Sequence, residues 1–265
     1  MIDSHCHIDL PIFDADRLDV LQSAKIKGVK KVLVPGLGLE QSKQLLVLKQ
    51  LCLSAGLDID IAAGFHPYFL SDIPDGTFYS QLDALGAWLD VHQSKVVAIG
   101  EFGLDGSLPL SMAFQESVFI AQLRLAQSLN KPVVLHHRQS HNELIRLLKQ
   151  AKFTQGGVIH AFSGSEQIAH TYVDMGFCLG VGGTITYPRG AKTRRALMPI
   201  PLSSLLLETD APDMPVCGYQ GQRNTPERLG LIAQSLANLK NVDTEQVIQV
   251  STAAYNNLFS STSAL

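Results

Sequence analysis

Residues 115–136, QESVFIAQLRLAQSLNKPVVLH, place one helix and one strand back to back, and their reading decides the fold. Within 115–129 the apolar side chains Phe119, Leu123 and Ala126 recur at steps of three and four, so they share one helical face. Pro132 lacks a backbone N–H and disfavours helix in the residue before it, which stops the helix there. The run that follows, 133–136, is short, solidly apolar and closed by a histidine. Apolar runs that do not alternate suit strands covered on both faces, as in a parallel sheet flanked by helices.

The same unit recurs along the chain in both directions. Strands are expected at 1–5, 31–35, 59–65, 96–100, 157–161, 177–181 and 205–208, with glycines crowding the end of 177–181. Residues 16–27 and 39–53 carry helical apolar spacing, and 225–259 reads as two helices broken near Asn241. Strand-helix alternation implies a parallel sheet, and eight units over 265 residues favour a single closed (β/α)8 TIM barrel spanning 1–265. An open, doubly wound sheet is the alternative. No linker, repeat or low-complexity stretch interrupts the pattern.

Composition narrows the class. A chain that is 46% hydrophobic and 17% charged can build a large buried core. Its net charge of −3, from 21 basic and 24 acidic residues, argues against broad coating of nucleic acid, which requires surplus Lys and Arg. It leaves room for a nuclease whose cations supply local positive charge. Cys6, Cys52, Cys178 and Cys217 form no CxxC pair, so a reducing cytoplasm is expected rather than a disulfide framework. The opening Met1-Ile2-Asp3-Ser4-His5 has no signal-peptide character, and no apolar run reaches the roughly 18–20 residues of a membrane span. A cytoplasmic chain with no membrane role and no obligate protein partner is expected.

The chemistry lies in what ends the strands. His5 and His7 close the first, His66 the third, His136 the fifth and His160 the sixth, while Glu101 follows the fourth and Asp210 the eighth. In a parallel barrel these ends meet at one mouth, where barrel active sites form. Taken singly, each residue has an ordinary structural role: a lone histidine is usually just hydrogen-bonded, and Glu101 or Asp210 could cap a helix. His-x-His is different, because at period two both imidazoles point to one side and can chelate one ion. Cys6 between them should face away. Ligand-type side chains of N and O character, with no thiolate, suggest two divalent cations, with Zn, Mn, Co or Mg all admitted. Such a site supplies an activated hydroxide and needs no nucleophilic side chain. Neither Ser4 nor Ser163 sits in a G-x-S-x-G elbow, and Gly180-Val181-Gly182-Gly183 lacks the Gly-Lys-Ser/Thr ending of a phosphate loop.

Six runs then bring a family into view: Asp3-Ser4-His5-Cys6-His7, Gly64-Phe65-His66-Pro67, Gly100-Glu101-Phe102-Gly103-Leu104-Asp105, Leu135-His136-His137-Arg138, His160-Ala161-Phe162-Ser163-Gly164 and Leu207-Glu208-Thr209-Asp210-Ala211-Pro212. With Arg223-Asn224-Thr225-Pro226, they resemble the TatD-type metal-dependent deoxyribonucleases in order and spacing over essentially the whole chain. The stretch Gly182-Gly183-Thr184-Ile185-Thr186-Tyr187-Pro188-Arg189 resembles a bacterial branch of that family. The resemblance implies a TIM-barrel nuclease that cleaves DNA, and RNA as a further possibility, from the 3′ end. It assigns His5, His7, Glu101 and Asp210 to a first metal, and Glu101, His136 and His160 to a second, with Glu101 bridging. Asp210, Glu101 and His66 become the expected catalytic residues, with Asp210 as general base. His66, Arg138 and Arg189 become the expected substrate contacts. Arg189, Lys192, Arg194 and Arg195 follow the seventh strand, a frequent phosphate-binding position in barrels, although a solvated basic helix turn explains any one of them slightly better. His137, Asp213 and the extra length at 217–222 depart from the family pattern near the mouth. The competing function is a two-metal hydrolase of a small amide, lactone or cyclic urea.

Overall fold

A computed structural model describes residues 1–54, 56–74 and 76–260. The strands are β1 (Ile2–Asp3), β2 (Lys31–Val34), β3 (Asp58–Ala63), β4 (Ala98–Asp105), β5 (Val133–Arg138), β6 (Gly157–Ile159), β7 (Phe177–Val181) and β8 (Leu205–Leu207). Each pairs in parallel with the next in sequence, giving one eight-stranded sheet. Between them run α1 (Arg17–Ile26), α2 (Leu39–Ser54), α3 (Phe78–His92), α4 (Met112–Ser128), α5 (His141–Gln150), α6 (Glu166–Asp174) and α7 (Ala191–Leu197), and α8 (Leu229–Lys240) and α9 (Thr244–Ser260) follow β8. Asn241 separates the last two in a left-handed conformation, φ 53°, which asparagine tolerates better than most residues.

The sheet curls into a nearly closed barrel whose seam lies just beyond the ends of β1 and β8. Ser4 N donates to Leu207 O (2.9 Å), Asp210 N to His5 O (2.9 Å) and His7 N to Ala211 O (2.7 Å). The hydrogen bonds that join the first and last strands thus carry His5, His7 and Asp210 to a common place.

Two apolar layers follow from strand alternation. Ile2, Leu33, Ala62, Ala98, Val134, Val158 and Leu206, with Cys178 beside them, form a separate cluster in which each strand contributes one residue. This is the barrel interior, and Ala254, Tyr255 and Phe259 of α9 plug its lower end. The alternate strand residues, such as Val32, Val34, Val133 and Leu135, belong to the larger cluster under the helices. The inward set extends two residues at a time, from Val134 to His136 and from Val158 to His160.

The fourth strand differs from expectation. It spans Ala98–Asp105, not 96–100, so Glu101 lies inside the strand rather than after it. Ala98 faces the interior while Phe102 and Leu104 face the helices. Strict alternation from Ala98 would turn Glu101 outward. The register with β5 shifts between Ile99 and Phe102, and this irregularity re-aims Glu101 into the barrel. Gly100 makes it possible, since a side chain there would collide with the Val134 backbone. Its carbonyl accepts from Gly36 N (2.9 Å) while Glu101 N donates to Gly36 O (2.8 Å), which fixes Glu101 from behind.

Candidate metal centre

At the carboxyl ends of the strands, Glu101 stands at the middle of a ring of imidazoles. Its Oε2 lies 3.0 Å from His5 Nε2 and 3.6 Å from His7 Nε2. Its Oε1 lies 3.2 Å from His136 Nδ1 and 3.4 Å from His66 Nε2. One carboxylate therefore serves two pairs of nitrogens, one pair per oxygen. Asp210 closes the first group, with Oδ1 at 3.8 Å from His5 and 3.9 Å from His7. His160 reaches Asp210 Oδ2 at 3.6 Å and Glu208 Oε1 at 3.2 Å, with its ring stacked on His5 at 3.6 Å. The ligand-type atoms gather into His5–His7–Asp210, His5–His160–Glu208 and His66–Glu101–His136, each within 4.8 Å.

These residues fit divalent cations. The Nε2 atoms of His5 and His7 face each other at 3.1 Å, and two lone pairs do not rest so close without a proton or a cation between them. Glu101 Oε2, although near His5, makes no aligned hydrogen bond, and Glu208 Oε2 is likewise buried without one. Orphaned buried carboxylate oxygens are costly unless a positive group satisfies them. The donors are all imidazole or carboxylate, as borderline and hard divalent ions prefer.

Electrostatics follow the same geometry. Burial opposes ionisation of Glu101, yet the imidazoles of His5, His66 and His160 and the hydrogen bond from His136 hold it well below the usual carboxylate range. Burial raises Asp210 to about 6, against the pull of His160 and His7. For His160, burial is outweighed by Asp210, Glu208 and Glu101, which push it up to about 10. His5 and His66 move down, chiefly through burial.

His66 stands apart from the other imidazoles. Its Nδ1 accepts the backbone N–H of Tyr68 at 3.0 Å, so the neutral ring carries its proton on Nε2. A protonated Nε2 donates a hydrogen bond and offers no lone pair to a metal. Although His66 groups with Glu101 and His136, this tautomer makes it a donor directed into the cavity.

The surrounding residues sort into supports and bystanders. Asp105 was not singled out from the sequence, yet its Oδ2 lies 3.4 Å from His136 Nε2. Glu208 was also missed; it holds His160 from behind and accepts from Ala161 N at 2.6 Å. Period-two spacing to Asp210 is the signal that could have found it. Cys6 is buried with the outer cluster, away from the histidines on either side. His137 also points outward, stacked on His141 at 4.1 Å. Arg138 lines the metal cavity at its exposed rim, with no side-chain partner among the described residues. Arg189 lies elsewhere: its guanidinium covers Tyr187 at 4.7 Å, in a cavity of about 420 Å³ that shares no lining residue with the metal cavity. Arg194 is committed within the loop, donating to the carbonyls of Ile185 (3.0 Å), Pro188 (3.0 Å) and Tyr187. The basic cluster is therefore not a uniform phosphate track.

An eight-stranded α/β barrel with clustered imidazoles and carboxylates at its mouth defines a metal-dependent hydrolase class. The TatD related DNase family matches residues 2–260, and the chain belongs to that family. It is 40% identical over 260 residues to the metal-dependent hydrolase YjjV of Escherichia coli K12, covering 97% of this chain and 96% of the relative. A metal-dependent hydrolase of Haemophilus influenzae is 35% identical, covering 92% of this chain and 94% of the relative. The crystal structure of YjjV superposes with a TM-score of 0.91 at 39% identity, covering 98% of each chain. A lactonase from Listeria monocytogenes, at 16% identity and a TM-score of 0.68 over 96% of this chain and 93% of that one, shares the fold. Among the described residues, no helix is long and apolar enough to cross a membrane.

Proposed function

We propose that this TatD-family hydrolase cleaves phosphodiester bonds, acting on DNA, and on RNA as a second polymer, as an exonuclease from the 3′ end with two divalent cations per chain. The observation that supports this most directly is the division of Glu101 between His5 and His7 on one oxygen and His136 on the other. In the two-cation arrangement, His5, His7, Glu101 and Asp210 would hold one ion, and Glu101, His136 and His160 the other, although His160 here groups with His5 and Glu208. Paired cations polarise phosphoryl oxygens and lower the pKa of water, the requirement of in-line displacement at phosphorus.

The chain's own side chains supply the rest. Asp210, raised by burial to about 6, is still largely ionised at neutral pH and takes the proton of the attacking water. His66 donates its Nε2–H to a phosphoryl oxygen as charge develops there. Arg138 at the rim neutralises the next phosphate along the strand. Arg189, in its separate cavity, is a more distant contact.

A second reading, hydrolysis of a small lactone, amide or cyclic urea, draws on the Asp213 carboxylate in the same cavity, which is unfavourable beside a polyanion. An activity panel on single-stranded DNA, RNA, lactones and amides, run with Zn, Mn, Co or Mg after chelation, separates the two. Metal-restored release of nucleotides supports the phosphodiesterase; turnover confined to the small substrates overturns it.

A further inference from the structure

The metal cavity has two unlike sides. One consists of the imidazoles and carboxylates. The other is built on the short 3-10 helix Pro67–Asp72, which brings Tyr68 and Phe69 to the rim beside Leu10 and Leu37. Four rings form an unbroken edge-to-face series from the Glu101 group outward. His136 and His66 have centroids 4.5 Å apart, His66 and Phe69 5.9 Å, and Phe69 and Tyr68 5.1 Å.

Tyr68 ends the series with 61% of its surface exposed, and its hydroxyl has no hydrogen-bond partner among the described residues. Isolated exposed aromatics are common and need no explanation. This one lines the cavity that holds the candidate metal ligands, and its backbone is pinned there. Pro67 fixes the start of the turn, Tyr68 N donates to His66 Nδ1 (3.0 Å) and Phe69 N to His66 O (3.1 Å). His66 thereby positions both rings while presenting its own Nε2 to Glu101, so the aromatic wall and the reaction site are one piece.

The cavity measures about 530 Å³, within the roughly 300–1,000 Å³ that encloses one small ligand. It can take one unit of a polymer at a time. An aromatic face paired with an unpartnered guanidinium, Arg138, is the combination that single-stranded nucleic acid meets in its binding grooves: charge for the backbone, ring for the base. We propose that Tyr68 and Phe69 are the stacking face for the base of the terminal nucleotide, holding it while its phosphate lies at the metal centre and Arg138 meets the next phosphate along the strand. The proposal rests on the phosphodiesterase reading above and adds what selects the substrate's end. Stacking uses the face of the ring and not the edge of the base, so any base is accepted and an end without a base is not.

The test uses two single-stranded oligonucleotides that are identical except at the 3′ end, where one carries a base and the other is abasic. Wild-type protein loaded with metal should show a KM roughly ten-fold lower for the base-bearing end. Metal-stripped protein should bind that oligonucleotide more tightly by a similar factor in fluorescence anisotropy. In Tyr68→Ala and in Phe69→Leu the gap should close, while Tyr68→Trp should retain it. Equal KM for the two ends in wild type overturns the stacking face, as does a Tyr68→Ala variant that weakens both ends in parallel. If metal-loaded wild type cleaves neither oligonucleotide, the phosphodiesterase reading itself falls, and this one with it.

Discussion

Thr209 donates its hydroxyl to Asp3 Oδ2 at 2.5 Å and its backbone N–H to Oδ1 at 2.9 Å, although 206 positions separate the two residues. Both are fully buried, and Asp3 also accepts from His5 N at 3.3 Å. The contact ties the strand that delivers His5 and His7 to the one that delivers Asp210. It is a brace behind the metal centre, made by residues that do not line the cavity.

Removing the hydroxyl should therefore cost stability as well as activity. Thr209→Val leaves Asp3 Oδ2 without a donor, a loss of about 1–3 kcal/mol for a buried acceptor. For a chain of this size that lowers the thermal midpoint by several degrees. Thr209→Ser should restore most of it. Differential scanning calorimetry at neutral pH decides; a Thr209→Val protein as stable as wild type removes the brace from the account.

The sequence carried much of this, and where it did not, the reason is physical. Repeated strand-helix units predicted the barrel because each strand's apolar run is complete in itself. His5 and His7 were readable as a pair because period-two spacing is local. The inward turn of Glu101 was not readable, since it depends on an irregular register against β5 that no local pattern announces. Arg194 looked like a free cation in the sequence; its commitment to three carbonyls exists only once the loop 183–190 has folded around it. Tyr68 and Phe69 lie next to a noted histidine, but their place in the cavity needs the turn after His66.

Glu101→Gln should be the most damaging single change at the metal centre. Each of its oxygens serves a different pair of imidazoles, so losing the charge weakens both groups at once. Elemental analysis should fall from about two ions per chain to one or fewer, and turnover should drop roughly 10³-fold, as expected when several kcal/mol of charge stabilisation disappear. Single histidine-to-alanine variants should retain more of both. A Glu101→Gln protein with full metal content and activity would falsify the bridging role.

His66→Ala should separate chemistry from metal binding. If its Nε2 carries a proton, the ring donates to substrate and ligates nothing, so two ions should remain. Turnover should fall about 10²–10³-fold, the usual loss on deleting one donor to developing charge. Asparagine at that position, which can still donate, should recover part of the loss. Metal content that falls in parallel with activity would show His66 to be a ligand.

The pH dependence of stability has a contribution outside the metal centre. Burial, assisted by Lys192, lowers His141 from 6.5 to about 4, and its Nδ1 lies 3.2 Å from the Tyr172 hydroxyl. Between those two values the unfolded chain binds the proton more readily than the folded one. Its contribution is therefore complete above pH 6.5 and declines as the pH falls towards 4. The difference in melting temperature between wild type and His141→Gln should narrow across that window and stay level from pH 7 to 8. A difference that stays constant on acidification counts against the buried neutral imidazole.

The basic residues should divide by what their guanidinium groups already do. Arg138 has no side-chain partner and borders the metal cavity, so Arg138→Ala should weaken polynucleotide binding and flatten its salt dependence, lowering the slope by roughly one for the lost phosphate contact. Arg189 lies over Tyr187 in a separate cavity, and a strand would have to extend beyond the first nucleotides to reach it. Arg189→Ala should therefore affect long oligonucleotides and leave a dinucleotide unchanged. Arg194 is different again, because its hydrogen bonds hold the carbonyls of Ile185, Tyr187 and Pro188. Arg194→Gln should lower the melting temperature and leave the salt slope as it was. Binding measured from low to high salt, on a dinucleotide and a longer oligonucleotide, with a melting curve for each variant, distinguishes the three roles. An Arg194→Gln protein of normal stability but shallower salt slope would place phosphate at the loop after β7, whereas three variants with the wild-type slope would leave the cations as solvated surface.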